Sequence, residues 1–273
     1  MPDAKTLSKH YPKDYYSYNA SPEEAPARKG PKWKHYLRHP FQAANALVYS
    51  KWIGQNKDVR GRTGLKFLDV GCGDGAYLVT KKAEGCECYG VDISVEALSK
   101  LKKKHPDIRT HCGELADARW PSDYFDVVNL CHVLEHVPDP EATLREIRRI
   151  LKPGGLVKIS VPNSDSWSRS LFFKCWLGYD SPRHLWVFSR RNLSILFIRT
   201  GFRLSEFRTL ENSFSVLGSV IYTVNAQMKR KGELMSLRSI WDNEFLKLLV
   251  GPYALAANAA QKGDVAEYLL KKG

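Results

Sequence analysis

The chain has 273 residues, 43% of them hydrophobic, and 42 Lys and Arg against 29 Asp and Glu give a formal net charge of +13. Such a length and apolar content exclude a disordered or fibrous chain and suit one α/β core with additions. No apolar run reaches the ~20 residues of a membrane helix, so a spanning helix is not expected.

In chain order, Met1-Pro-Asp-Ala-Lys-Thr lacks the apolar core of a signal peptide, as expected of a cytoplasmic protein. Tyr11-Pro-Lys-Asp-Tyr-Tyr-Ser-Tyr18 is too aromatic for a simple solvated tail. Lys66-Phe-Leu-Asp-Val-Gly-Cys-Gly-Asp-Gly75 reads as an apolar strand ending in a carboxylate, then a glycine turn opening into a helix. Glycines suit positive φ and close approach of the backbone to a ligand. Gly71, Gly73 and Ala76 also fit the loose pattern of a dinucleotide site. Asp69 argues against that ligand, because a carboxylate there repels pyrophosphate and attracts the ammonium of an amino acid. The cofactor joining adenosine to an amino acid is S-adenosyl-L-methionine, with S-adenosyl-L-homocysteine as its product.

Cys86 to Asp92 reads as a second strand, its terminal acid 21 positions after Gly71, a spacing suited to both ribose hydroxyls. A third strand, Ile108 to Cys112, precedes Gly113-Glu114-Leu115. Glu114 is placed to accept from an adenine amino group, with Leu115 beside the ring. Asp139 caps a helix with Pro140 at its first position, and Leu144, Ile147 and Leu151 form its apolar stripe before Pro153-Gly-Gly155 ends it. Leu156 to Val161 is the fifth strand. Ser189 caps a helix that buries Leu193, Leu196 and Phe197, and Phe202 to Thr209 is the sixth strand. Asp264 to Leu270 is the last. Roughly fifty residues separate these final two strands, far beyond a hairpin loop.

These segments resemble the class I S-adenosylmethionine-dependent methyltransferases, of the group resembling ubiquinone-biosynthesis and cell-surface-glycan enzymes. The resemblance rests on Leu68 to Gly75, Tyr89 to Ser94, Phe125 to Val128, Val133 to Val137 and Leu151 to Gly155. It implies a Rossmann-like, doubly wound sheet of seven strands, six parallel and one antiparallel, flanked by helices. Carried over, it implies that Asp69, Gly71, Cys72 and Gly73 line the methionine end and that Asp92 with Ile93 holds the ribose side. Glu114 and Leu115 then face adenine, while Leu130, Cys131 and His132 lie against the methionine. Glu114 departs from the usual Asp by one methylene. Relatives with a similar start fold it over the cofactor, so Tyr15 or Tyr16 is expected to close the site.

His132-Val-Leu-Glu-His136 follows the fourth strand at the ligand-binding edge. His136 is a candidate base or orienting donor. The string also reads as an inverted zinc-hydrolase signature, but Pro138 and Pro140 cut short the helix it requires. Sites are therefore read without a metal, with an ion on Glu135 and His136 as a side possibility. Ser164 to Phe188 is dense in aromatics and cations, and Asp180-Ser-Pro-Arg-His-Leu-Trp-Val-Phe188 resembles a stretch lying over the active site in many bacterial methyltransferases. His184 is a second candidate base, Arg183 a clamp for a carboxylate or phosphate, and Trp176 and Tyr179 further acceptor contacts. The opposing reading pairs Arg183 with Asp180 and lets His184 cap the next helix.

Two amphipathic helices are expected in the second insertion, one with Phe214, Val216, Leu217, Val220, Ile221 and Val224, the other with Trp241, Phe245, Leu248 and Leu249. They suit a helical lid or, alternatively, peripheral membrane contact. The expected organisation is a closing segment over 1–44, a core over 45–209 with the acceptor-facing insertion 164–188, a lid over 210–262, and the last strand in 263–273.

The six cysteines lack paired zinc-ligand spacing and are expected as reduced thiols. The pI near 9.4 raises nucleic acid as a substrate. However, the cations are spread over helix faces, and Val161-Pro-Asn163 lacks the signature of base-amino methylation. The expectation is an enzyme that methylates a small-molecule, glycan or lipid-linked acceptor at oxygen. A nucleic-acid methyltransferase and a non-catalytic cofactor-binding subunit are the alternatives. The acceptor and the oligomeric state lie beyond the sequence.

Overall fold

The structure is a computed structural model describing residues 62–211, 213–228 and 244–273. Tyr15, Tyr16, the 1–44 segment and Trp241 lie outside the described residues. The core alternates strands and helices: β1 (Lys66–Val70), α1 (Ala76–Ala83), β2 (Glu87–Asp92), α2 (Val95–Lys104), β3 (Arg109–Cys112) and β4 (Phe125–Cys131). It continues with α3 (Pro140–Ile150), β5 (Leu151–Pro162), α4 (Trp167–Phe172), α5 (Arg190–Arg199), β6 (Phe202–Leu210), α6 (Ser213–Met228), α7 (Glu244–Ala259) and β7 (Val265–Lys272).

The seven strands form one sheet in the order β3-β2-β1-β4-β5-β7-β6. β7 runs antiparallel to both neighbours, pairing Ser160 with Glu267 on one side and Arg208 with Glu267 on the other. Strand order reverses between β1 and β4, so the crevice at their carboxyl ends is where an open α/β sheet binds ligand. The expected sheet is the one observed.

Short-range chemistry explains the helix starts. Ser94 Oγ accepts from Ala97 N–H, Asp139 Oδ1 from Ala142 N–H and Ser189 Oγ from Asn192 N–H, each satisfying a donor with no partner within its helix. Leu144, Ile147 and Ile150 of α3 are fully buried, as are Leu193 and nearly so Phe197 of α5. Each such side chain contributes about 1.5–3 kcal/mol of apolar burial. α3 ends three residues before Pro153, and Leu151 opens β5 instead of closing the helical stripe.

One expected stripe is overturned. Phe245, Leu248 and Leu249 of α7 are exposed, and Leu246 and Val250 pack against Leu217 and Ile221 of α6 instead. Residues 245–250 carry apolar side chains nearly all round, so their pattern does not select a face. Among the described residues, no helix is long and apolar enough to cross a membrane.

Candidate active site

β1 delivers Asp69 to the switch point almost fully buried, and Asn129 of β4 donates from Nδ2 to its Oδ1 at 2.7 Å. Burial pushes the Asp69 carboxyl up to about 7, with a further push from nearby Asp92. Asn129 and, more weakly, Lys158 only partly oppose this. A carboxylate so placed gains from a bound cation.

The glycine turn follows. Gly71, Gly73 and Gly75 have φ of 72°, 54° and 80°. A Cβ on Gly71 would sit 2.5 Å from Val133 Cγ2, so turn and β4 loop close on each other only without a side chain there. Gly73 N–H donates to Asp92 Oδ2 at 2.7 Å, and Ser94 N–H to Oδ1 at 2.8 Å. Asp92 thereby ties the turn to the tip of β2, and each of its oxygens keeps a second lone pair. Burial raises its pKa against the lowering by these N–H groups. Ile93 beside it is 61% exposed, an apolar surface open for a ring.

Two of the residues expected to line the cofactor turn their side chains into the core. The Cys72 side chain packs with Leu78 and Cys88, its Sγ 3.9 Å from Gly73 O, and its N–H is given to Val91 O. Leu115 is likewise buried in the main core, leaving only its backbone for a ring. Glu114 is exposed on the turn after β3.

Beyond β4 the chain turns sharply, and His132 takes φ of 55°, a left-handed conformation unusual for a residue other than glycine. Val133 to Val137 is a turn with no helix. The two-histidine helix face that a zinc hydrolase needs is absent here. Instead His132 Nδ1 donates to Glu135 Oε1 at 3.1 Å. Cys131 is open to solvent and the His132 ring keeps a solvent-facing edge. Partial desolvation by the packed β4 tip acts to lower the His132 pKa, but the bond and charge of Glu135, with Glu267, prevail and raise it.

Glu135 is fully buried, and its Oε2 has no hydrogen-bond partner among the described residues. Burial alone would raise its pKa; the bond from His132 and the charges of His132, His136 and His184 lower it overall. Its backbone oxygen accepts from Leu185 N–H at 2.8 Å and Trp186 N–H at 3.2 Å, and Trp186 Nε1 donates to Val137 O. These bonds fasten the 183–188 stretch over the β4 loop.

His136 and His184 meet there edge to face, ring centroids 4.7 Å apart. His136 Nδ1 donates to Arg183 O at 3.0 Å and His184 Nδ1 to Gly178 O at 2.8 Å. A carbonyl only accepts, so each neutral ring carries its lone pair on Nε2. Burial first, and the neighbouring His184, hold the His136 pKa below its ordinary value despite Glu135. Glu135, His136 and His184 each offer one ligand atom, all within 4.8 Å of one another.

Of the expected acceptor contacts, Tyr179 lines an open groove with His184. Trp176 does not. It is buried in the core, and its Nε1 donates to Asp264 Oδ1 at 2.9 Å. Arg183 is paired with Asp180, which corrects its assignment as a free clamp. Ser189, not His184, caps α5. The sequence reading missed Asn129 and the buried role of Glu135. A polar Asn in the apolar run Phe125 to Leu130 was the available signal for the first.

A family model described as a methyltransferase domain matches residues 17–206. The ubiquinone biosynthesis O-methyltransferase of Paraburkholderia phymatum is 34% identical over 122 residues, covering 42% of this chain and 51% of that protein. The enzyme of the same name from Klebsiella pneumoniae is 36% identical over 124 residues, covering 43% and 48%. The chain thus spans about half the length of these curated relatives. Among solved structures, a putative sarcosine dimethylglycine methyltransferase from Galdieria sulphuraria aligns with TM-score 0.57 at 16% identity, covering 86% of this chain and 91% of that one. Phosphoethanolamine N-methyltransferase 2 of Haemonchus contortus, bound to S-adenosyl-L-methionine, aligns with TM-score 0.51 at 20% identity over 89% and 60%. A protein named as a cyclase also aligns, with TM-score 0.53 at 18% identity over 85% and 81%, so this fold by itself does not dictate methyl transfer. The family match is independent of that ambiguity and runs from before the described core into β6: the chain belongs to the methyltransferase-domain family.

Proposed function

We propose that the protein transfers a methyl group from S-adenosyl-L-methionine to a hydroxyl of a small-molecule, glycan or lipid-linked acceptor. The observation carrying this is Asp69, a carboxylate almost fully buried beside the glycine turn, whose pKa burial raises to about 7 and whose ionised form a cationic ligand would favour. It takes the cofactor's ammonium. Gly71 and Gly73 admit the methionine portion, with Cys131 and His132 flanking it. Asp92 accepts from the ribose hydroxyls, Ile93 packs on adenine, and Glu114 accepts from its amino group.

The bound sulfonium supplies an activated methyl group and leaves as a thioether. The protein must then align the acceptor oxygen and take its proton. His136 is the base: it is kept neutral by burial, fixed by Arg183 O and carries its lone pair on Nε2. His184 orients the same oxygen from the groove side, and Tyr179 contacts the acceptor body. His136 would take the acceptor's hydroxyl proton at Nε2 while His184 holds the oxygen in line with the methyl group that the cofactor would supply.

A second reading is favoured by the unpartnered Oε2 of Glu135 beside two imidazoles. There Glu135, His136 and His184 would hold a divalent ion that acidifies a phenolic hydroxyl. Turnover that survives exhaustive chelation selects the base; turnover restored only by an added divalent ion selects the metal.

Calorimetry with S-adenosylhomocysteine tests the cofactor assignment. Micromolar binding, weakened about 100-fold by Asp69→Ala, is expected for loss of a buried charge pair. Equal affinity in the variant removes the assignment. His136→Ala should then lower kcat about 100- to 10,000-fold while cofactor affinity holds.

A further inference from the structure

The groove beside His184 encloses about 920 Å³, and Arg169, Phe173, Lys174, Tyr179 and Val187 line it with that histidine. Its two cations contrast with several elsewhere that are paired. Arg145, Arg149, Lys152, Arg199 and Arg208 all meet carboxylates, and Arg183 is taken by Asp180. Arg169 donates only to the Tyr179 hydroxyl, at 3.3 Å, and neither it nor Lys174 forms an ion pair among the described residues. No Asp or Glu lines the groove. Phe173, 72% exposed, and Tyr179 add apolar surface between the cations.

From this we infer that the groove selects acceptors carrying an acidic group, carboxylate or phosphate, held by Arg169 and Lys174 while the acceptor's hydroxyl reaches His184. The guanidinium provides a planar fork for two anion oxygens and the ammonium a second, mobile charge. Tyr179 and Phe173 flank the body between the two ends. The groove's part as acceptor site rests on the methyl-transfer reading; its preference for anions does not, and can be read by binding alone.

The test is calorimetric titration of the full chain, with and without S-adenosylhomocysteine, using 4-hydroxybenzoate, 4-hydroxyphenyl phosphate and the neutral methyl 4-hydroxybenzoate. One or both acids should bind at least about tenfold more tightly than the ester, as charge-assisted hydrogen bonds imply. Whichever acid binds better names the acidic group. The double variant Arg169→Gln/Lys174→Gln should erase that margin, with Tm and S-adenosylhomocysteine affinity as controls for folding. Acids that bind no better than the ester, that fail to bind at all, or that keep their margin in the double variant overturn the inference. Loss of S-adenosylhomocysteine binding by the unaltered protein would instead overturn the cofactor assignment and leave the groove's selectivity to be judged separately.

Discussion

The cofactor half and the acceptor half of this molecule are built by different means. At the tips of β1, β2 and β4, the functional groups are set by strand register and by a turn of glycines. Asp69 lies opposite Asn129 in the ladder, and Asp92 holds Gly73 N–H. The acceptor half, from α4 to Trp186, has only short helical pieces. Its shape comes from side chains reaching far along the chain: Trp176 to Asp264, Ser168 to Glu211 and Leu177 N–H to the Ser219 hydroxyl. On the proposed reading, a regular sheet fixes the cofactor contacts. The stretch assigned to the acceptor is free to vary because no ladder constrains it.

If the halves are separable, damage to one should spare the other. The largest effect is expected from Trp176→Ala. It empties a buried site and removes a bond to Asp264, whose carboxyl burial already pushes up to about 6. A stability loss of about 3–5 kcal/mol follows from the cavity. Trp176→Phe keeps most of the volume and should cost about 1–3 kcal/mol for the bond lost at the buried carboxylate, which retains only Ser166 and Ser168 among the described residues. In the Phe variant, calorimetric melting should drop while S-adenosylhomocysteine affinity stays within roughly twofold. An equal collapse of both would show that the halves fold as one unit.

The reverse experiment is Gly71→Ala. A side chain at φ of 72° and 2.5 Å from Val133 Cγ2 forces the turn and β4 loop apart. We expect roughly 1–3 kcal/mol of strain, seen mainly as at least tenfold weaker cofactor binding. Acid binding in the groove should change little. Comparable losses at both sites would mean that the β4 loop transmits the displacement through Glu135 to the 183–188 stretch.

The same contrast explains what the sequence revealed. Strand tips, caps and the glycine turn are local patterns with local causes: Asp139 and Ser189 cap where their neighbours need an acceptor. Asp69 and Asp92 end apolar runs of the right period. Trp176 carries no such mark. Its aromatic-rich surroundings suit a binding surface as well as a core, and only its distance in sequence from Asp264, 88 residues, decides between them. Arg183 was undecided for the same reason, since a cation three residues after an acid fits a clamp or a pair. Arg169 and Lys174 gained meaning only when the fold showed them without carboxylate partners around one groove. The exposed side of α7 was illegible because its apolar residues point every way.

The smallest predicted effect is also the most selective, since it acts on one proton. In the free protein the Asp69 carboxyl sits near 7, whereas the unfolded chain holds it at 3.8. Between those values the folded state binds the extra proton, so this group's contribution stabilises the free protein as pH falls from about 7 towards 4. The cofactor ammonium reverses the preference, because it gains only from the ionised form. Binding below pH 7 must therefore expel a proton, and affinity should fall up to tenfold per pH unit, about 1.4 kcal/mol. Asp92, also raised by burial, would extend the decline further into acid. Calorimetry of S-adenosylhomocysteine at pH 8, 7 and 6, in buffers of different ionisation enthalpy, reads both the affinity and the released proton. Anion binding at Arg169 and Lys174 should show no matching loss over that range. A cofactor affinity flat from pH 8 to 6 with no proton release would mean that the carboxylate tipping β1 does not meet the ammonium, and the two halves would then lose the electrostatic difference that assigns them their ligands.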